Sequence, residues 1–484
     1  MKKNIRNRVP CILIGSLLAI ALVLFMAIVI KIQLLPMKYI LLMGGIFLLF
    51  AGVIVLLTWD VRRVGPLLCG CILTMLLLIV LMIGTPYLTK ALDTLDSITT
   101  VEVEVAHVSI YVENGSSYQT LEDLKDSNIG VLKVQDRANT DKTLKQVQKE
   151  IGTVTVTEYT GLKELADGLL QGEVDAILLN NAFLDLLADM EGYKDVPSKL
   201  REIYLYQAET VIKKKDDDPK NPKKTEDRVF TMYISGIDSF DEITSTGRSD
   251  VNIIATVNVD KRQVLLVSTP RDYYVPLSIS DGIPDKLTHA GIYGVDVSMD
   301  TLEMLYDTEI DYYFRVNFSG FERIIDALGG ITVTSPQEFV SIDGYYFSEG
   351  ENELDGEEAL AFARERYAFE DGDRQRGKNQ MAVIKAVIEK AMSPSLLRNY
   401  ADIMESVSGS FETSMPYDTI AELVRDQLDK GGRWKITSIG VDGSNDMRSV
   451  YSLSTEVYVM IPNQETVDAA IEMIDRVING EILE

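Results

Sequence analysis

The sequence predicts a membrane-anchored α/β protein: three transmembrane helices, a small α/β accessory domain, and a larger α/β/α layered domain with a central sheet. Three observations carry this expectation. Three uncharged apolar runs open the chain. Charge is split sharply between that end and the rest. Beyond the apolar runs, short β-branched stretches alternate with amphipathic ones, the pattern of layered α/β packing. The chain has 484 residues, room for about three domains. Nine of its 47 Lys/Arg and three of its 73 Asp/Glu fall in residues 1–97, so residues 98–484 hold 38 basic and 70 acidic groups, a net of −32. A body that acidic repels phosphate backbones, which excludes sequence-independent nucleic-acid binding. Its apolar periodicity excludes an intrinsically disordered chain.

The apolar runs are Val9–Ile30, Tyr39–Trp59 and Val64–Ile83, of 20 to 22 residues each. About 20 residues cross a bilayer as a helix. A cleaved signal peptide would show one shorter run and a small-residue cleavage site. Basic residues in the short flanks set the orientation. The N-terminal tail carries Lys2, Lys3, Arg6 and Arg8, and the loop between the second and third runs carries Arg62 and Arg63. The remaining short loop holds only Lys31 and Lys38. The expectation is a multi-pass protein of the cell membrane: residues 1–90 form a cytoplasmic tail and three spans, and everything after about residue 88 is extracellular. Cys11, Cys69 and Cys71 fall inside the runs and the exterior body has no cysteine. Such a body builds its core by burial rather than by disulfides, as is common in exported proteins of Gram-positive bacteria.

Residues 98–212 read as β/α, with strands at Val101–Val105, His107–Val112, Ile129–Val134, Val154–Tyr159 and Val174–Leu179 and helices at Thr120–Asp126, Asp141–Ile151 and Gly161–Gln171. TLEDLKDSNIGVL and LADGLLQGEVDAILLN resemble segments of extracellular solute-binding domains, and no convergent polar set names a ligand. A spacer or protein-docking role is the plain reading. Residues 213–228 are a polar linker, since Lys213–Asp227 contains no apolar residue and two prolines. Residues 229–480 form the layered domain. Its strands are Val229–Ser235, Val251–Val257, Val264–Ser268, Trp434–Ile439 and Val457–Ile461. Its helices are Ser298–Leu305, Ser319–Leu328, Gly356–Arg364, Arg374–Ala391, Tyr417–Leu428 and Glu465–Asn479.

The residues with chemistry cluster in this last region. In Gly236–Asp250, GIDSFDEITSTGRSD, a loop between two strands would bring Asp238 and Asp250 to one rim with Arg248 beside them. Two carboxylates on a rim suit Mg²⁺, which keeps waters and takes substrate phosphate; an ordinary polar loop would look the same. In VLLVSTPRD a buried strand runs into Pro270 and sets Arg271 just past its C-terminal end, where ligands of open α/β sheets gather. Gly356–Gln380 carries Arg364 and Arg366 at the end of one helix, then Asp373, Arg376 and Gln380 at the start of the next. A helix N-terminus favours anions, and guanidinium forks grip phosphate oxygens bidentately. Lys286 and His289 sit in a glycine-containing loop, and a lone His is more often structural.

In this order the motifs resemble the LytR-CpsA-Psr family of cell-wall glycopolymer transferases. The matching residues are Gly236-Ile237-Asp238, Gly247-Arg248-Ser249-Asp250, Ser268-Thr269-Pro270-Arg271-Asp272, Lys286 with His289-Ala290, Arg364-Glu365-Arg366, and Asp373 with Arg376 and Gln380. Thr288 stands where members often carry Asn. Three spans and an accessory domain are similar to the capsule-linked branch. The resemblance implies transfer of a glycopolymer from undecaprenyl pyrophosphate to a peptidoglycan hydroxyl, the 6-OH of N-acetylmuramic acid, as a phosphodiester. It implies Mg²⁺ or Mn²⁺ on Asp238 and Asp250. It places Arg248, Arg271, Lys286, Arg364, Arg366, Arg376 and Gln380 on the pyrophosphate, with Arg271, Arg366 and Asp373 in catalytic roles. A non-catalytic lipid-pyrophosphate sensor and a pyrophosphatase are the rival readings. A transcriptional attenuator would need a cytoplasmic nucleic-acid-binding unit, and the inside-facing segments are too short to form one.

Overall fold

The computed structural model describes residues 9–32, 35–59, 62–99, 103–212, 228–237, 243–370, 372–393, 407, 409–453 and 455–483. The expected linker Lys213–Asp227 and the carboxylate of Asp238 lie outside these residues. The chain divides into two compact units. One holds the apolar end, with α1 (Val9–Ile32), α2 (Met37–Thr58) and α3 (Val64–Thr99). Met37–Thr58 and the Val64–Pro86 part of α3 are long and apolar enough to cross a membrane. Leu18, Leu22, Ile54 and Leu81 are buried between the three helices.

The second unit contains two sheets. The first has the order β3-β2-β4-β1-β5, from β1 (Val103–Glu113), β2 (Asn128–Leu132), β3 (Thr155–Tyr159), β4 (Ala176–Asn180) and β5 (Leu200–Val211). Its helices are α4 (Arg137–Ile151), α5 (Leu162–Leu170), α6 (Ala182–Asp189) and the single turn α7 (Val196–Lys199). The two strands expected at 101–112 are one, because the period-2 burial of Glu104, Ala106 and Val108 continues unbroken past His107. The sequence reading stopped before β5. That strand runs along the whole of β1, but all its residues except Ala208 are exposed or half-exposed, and they carry no buried apolar stripe.

The second sheet is six-stranded, in the order β16-β11-β6-β7-β8-β17. Its strands are β6 (Val229–Ile237), β7 (Ser249–Asn258), β8 (Gln263–Ser268), β11 (Tyr312–Asn317), β16 (Phe411–Thr413) and β17 (Lys435–Gly440). Alternation along β7 and β8 sends neighbours to opposite faces. Ile254, Leu265 and Val267 meet Met299, Leu302 and Tyr306 of α9 (Val295–Tyr306) and Val467, Ala470 and Ile474 of α14 (Gln464–Ile478). Ile253, Ala255, Val264 and Leu266 meet Met381 of α12 (Asp373–Ala391). These are three layers, helix on sheet on helix. Smaller ladders attach to it: β9 (Tyr274–Pro276) with β10 (Pro284–Lys286), β12 (Ile331–Ser335) with β15 (Gly350–Leu354), β13 (Phe339–Val340) with β14 (Tyr346–Phe347), and β18 (Gly443–Ser449) with β19 (Glu456–Pro462). The remaining helices are α8 (Leu287–Ala290), α10 (Phe318–Ala327), α11 (Gly356–Arg364) and α13 (Tyr417–Lys430). Of these, α13 was expected in the layered domain. It clusters instead with the apolar helices, where Asp429 meets Lys38 at 2.7 Å.

The two sheets are not beads on a string. One hydrophobic cluster joins Leu162, Leu165, Phe183 and Leu187 of the first sheet's helices to Ile292, Val450, Leu453 and Val459. Fully burying a side chain of this kind contributes about 1.5–3 kcal/mol. Four such residues make an interface well beyond a tether.

Candidate active site

Strands β11, β6, β8 and β17 all end at one edge of the large sheet, and β7 begins there. That edge receives Asp250 at the start of β7 and Ser268–Asp272 after β8. Pro270 cannot continue the ladder and initiates a turn closed by Tyr273 N–H on its carbonyl, at 3.1 Å. Arg271 is thereby lifted off the strand end.

Its guanidinium is the centre of the site. Nη1 lies 2.6 Å from Asp250 Oδ2, and Nε lies 3.7 Å from Asp272 Oδ2. Nε is buried and makes no hydrogen bond. Burial opposes the charge, but Asp250, Asp272 and Asp373 outweigh it, so the pKa of Arg271 is raised. The turn α8 packs against this loop by backbone pairing, with Thr288 N–H donating to Arg271 O at 2.8 Å and Leu287 N–H to Tyr273 O at 2.9 Å. From it Thr288 Oγ1 donates to Asp250 Oδ1 at 3.1 Å. Lys286 Nζ lies 3.0 Å from Asp272 Oδ1. Burial pushes Asp272 up, and Lys286 and then Arg271 overcome it, holding the carboxyl below its usual range. His289 does not enter this cluster. Its Nδ1 lies 2.7 Å from buried Asp285, which also accepts Ser452 N–H and Oγ–H at 2.9 and 2.5 Å. It anchors the turn, as a lone His usually does.

The start of α12 supplies the other side. Arg376 Nη2 is 2.6 Å from Asp373 Oδ1, an oxygen that is buried and in no hydrogen bond. Burial first, then the charge of Arg271, lowers the pKa of Arg376; Arg366 adds to the repulsion, against Asp373 and Asp250. Arg271 and Arg366 therefore both lie within electrostatic reach of Arg376. Gln380 is one turn further along α12.

Two expected members stand outside this centre. Arg364 stacks on the Phe318 ring at 4.6 Å, at the end of β11, and lies 4.0 Å from Asp343. Arg248 turns to Asp189 of α6, with Nη1 2.7 Å from Oδ2. Sequence reasoning also missed three contributors. Asp272 lay in the quoted motif but had no role. Thr288 was treated as a departure and proves to be an Asp250 ligand. Glu365, between the two arginines, is almost fully buried and accepts N–H from Tyr367, Ala368 and Ile342 at 2.6, 2.9 and 2.7 Å. No sequence signal separates such a glutamate from a surface one.

Of the pair expected to hold a divalent cation, Asp250 is the described half. Asp250 faces the cluster, and Arg271 and Thr288 use two of about four acceptor positions on its carboxylate. Among the described residues no three His, Cys, Asp or Glu side chains are grouped to hold a metal.

The family model described as the LytR_cpsA_psr family matches residues 202–468. A model described as DNA polymerase processivity factor matches residues 68–179, a stretch that crosses from α3 into the first sheet. The chain is 36% identical over 208 residues to a polyisoprenyl-teichoic acid–peptidoglycan teichoic acid transferase, TagU, of Enterococcus faecalis, covering 43% of this chain and 68% of that protein. It is 35% identical over 233 residues to the TagU of Bacillus subtilis, covering 48% and 73%. Among solved structures, the crystal structure of B. subtilis TagV aligns over 53% of this chain and 100% of that one, with 27% identity and a TM-score of 0.45.

Proposed function

The chain is an enzyme of the LytR-CpsA-Psr family, and from that premise we propose that it transfers a glycopolymer from undecaprenyl pyrophosphate to a peptidoglycan hydroxyl, the 6-OH of N-acetylmuramic acid. The observation that carries this is the pair Arg271 and Arg376. Half-buried Arg271 and buried Arg376 each lie 2.6 Å from a carboxylate, of Asp250 and of Asp373, and their mutual repulsion makes a site that a further anion completes. The orphaned Nε of Arg271 is a donor waiting for it.

In the reaction the acceptor oxygen attacks the phosphorus next to the sugar. The bond from that phosphorus to the bridging oxygen breaks, and undecaprenyl phosphate leaves with the electron pair. The acceptor proton passes to a base, a role we give to Asp373, whose Oδ1 is paired with Arg376 at 2.6 Å. Arg271, Arg376 and Arg366, with Lys286 behind Asp272, neutralise the diphosphate and stabilise charge on the leaving group. We assign Mg²⁺ or Mn²⁺ to Asp250 and Asp238. When bound it would add positive charge beside the phosphates.

The cellular setting follows the same reading. The three apolar helices anchor the chain with the N-terminus in the cytoplasm, and both sheets lie outside. The Lys38–Asp429 pair supports this, because it joins the first turn of α2 to α13, a helix far along the chain. A donor whose tail stays in the bilayer suits a tethered enzyme.

The test is the purified full chain in detergent with an undecaprenyl-pyrophosphate-linked glycopolymer and a peptidoglycan oligomer. A phosphodiester-joined product supports the reading. Phosphate release to water without that product would make the enzyme a pyrophosphatase, and donor binding without turnover a sensor.

A further inference from the structure

We propose that the first sheet is a positioning module for the candidate active site, and that Glu104 of β1 is its positioning residue. This rests on the transferase reading above. Glu104 is almost fully buried and pairs with Arg315, in the middle of β11. Arg315 already has Glu412 on the adjacent strand β16, with Nε and Nη2 at 2.9 and 2.5 Å from Oε2. Charge balance needs only one of these carboxylates. The second is extra buried charge, unfavourable by desolvation, and what it adds is a connection.

That connection runs in two directions. Both Glu104 oxygens accept the N–H of Val295, at 3.2 Å each, where α9 begins. Gly294 makes room, at φ 126°: a Cβ there would lie 2.6 Å from Glu104 Oε2. The next residue, Val105, bridges to the loop between β6 and β7. Val105 N–H donates to Thr244 O at 3.0 Å, and Thr246 N–H donates to Val105 O at 3.0 Å. This loop carries Asp238 and Arg248 and runs into Asp250 at the start of β7. The Arg248–Asp189 ion pair is a second hold on it from the same sheet. On the far side Gly291 packs so tightly that a Cβ would stand 2.5 Å from Gly247 O. Asp250 is thus fixed from the first sheet as well as from its own strand. Glu104 and Val105 precede residues 202–468, so this support is additional to the family's matched region.

The experiment uses the full chain with Glu104→Ala, Glu104→Gln and Asp189→Ala. It reads hydrogen exchange of the 243–250 segment, affinity for a polyprenyl pyrophosphate, and kcat and KM for transfer. In Glu104→Ala the segment should exchange at least tenfold faster, and affinity and kcat should each fall at least tenfold with a cooperative melt retained. Glu104→Gln, which keeps the acceptor, should restore all three to within threefold. Asp189→Ala, at an exposed position, should weaken affinity two- to fivefold without moving the melting temperature. Wild-type affinity and kcat per folded molecule in Glu104→Ala would overturn the proposal. If Glu104→Ala does not fold, unchanged affinity in Asp189→Ala overturns it. A wild-type chain that binds the probe but transfers nothing sinks the proposed function instead, and the affinity series still decides this one.

Discussion

Arg271 and Asp250 meet across the ends of two neighbouring strands, Nη1 to Oδ2 at 2.6 Å, with Thr288 holding the carboxylate's other oxygen at 3.1 Å. The sequence reading had given these two residues to different partners, a phosphate and a metal. In the structure each is the other's counter-ion. Under the proposed transfer an incoming diphosphate would share Arg271 with Asp250, which couples donor binding to the state of Asp250.

Arg271→Ala should reduce transfer by about 10²–10³-fold, the scale of losing one preorganised donor to a developing anion. Arg271→Lys should recover little of it, because an ammonium cannot serve Asp250 and a phosphate as a fork does. Initial rates on protein matched for membrane abundance check this. Near-normal turnover in Arg271→Lys would mean that charge alone suffices there.

Asp250→Asn should separate two roles. Transfer should fall at least tenfold, while affinity for a polyprenyl pyrophosphate rises because Arg271 loses its competitor. Chelation of the wild-type protein should mimic the fall and added Mg²⁺ should reverse it. Transfer indifferent to chelator would remove the metal from the site.

Arg315→Ala should be the most destabilising single change in the large sheet, by about 3–5 kcal/mol, since it leaves Glu104 and Glu412 buried and uncompensated. Replacing all three by apolar residues of similar size should cost far less. Urea melts of the two variants make the comparison.

Asp136, where β2 turns into α4, accepts hydrogen bonds from Asn180 and Asn139 at 2.8 and 2.7 Å, yet burial pushes its carboxyl up to about 6. A raised folded-state value favours the protonated form. Its stabilisation is complete below the unfolded value of about 3.9 and is lost as pH rises through about 6. Asp136→Asn should therefore flatten the melting temperature between pH 4 and 6 relative to wild type. Parallel curves for the two proteins would show that Asp136 titrates normally.

Much of the layered domain was legible because burial on both faces writes itself into a strand. Val264–Val267 is apolar throughout, and the strand expected at Val264–Ser268 was bounded within one residue. Strand β11 was missed because Arg315 interrupts its apolar run, and only Glu104 and Glu412, 211 and 97 residues away in sequence, make that charge tolerable there. The start of α12 was readable from Asp373 and the Arg376–Gln380 spacing. The pairing of Arg248 with Asp189 was not, because Asp189 lies on α6, 59 residues away in sequence.

The sequence by itself determined the apolar helices, the β/α alternation and the motif order that marks the family, all of which are local patterns of spacing and hydrophobicity. Only the tertiary structure decided which charges face one another. It made Asp250 the partner of Arg271, brought Thr288 and Asp272 beside them, and tied the first sheet to the loop between β6 and β7 through Val105. Ion pairing depends on distance in space, and a linear order of residues does not contain that distance until the strands have found their neighbours.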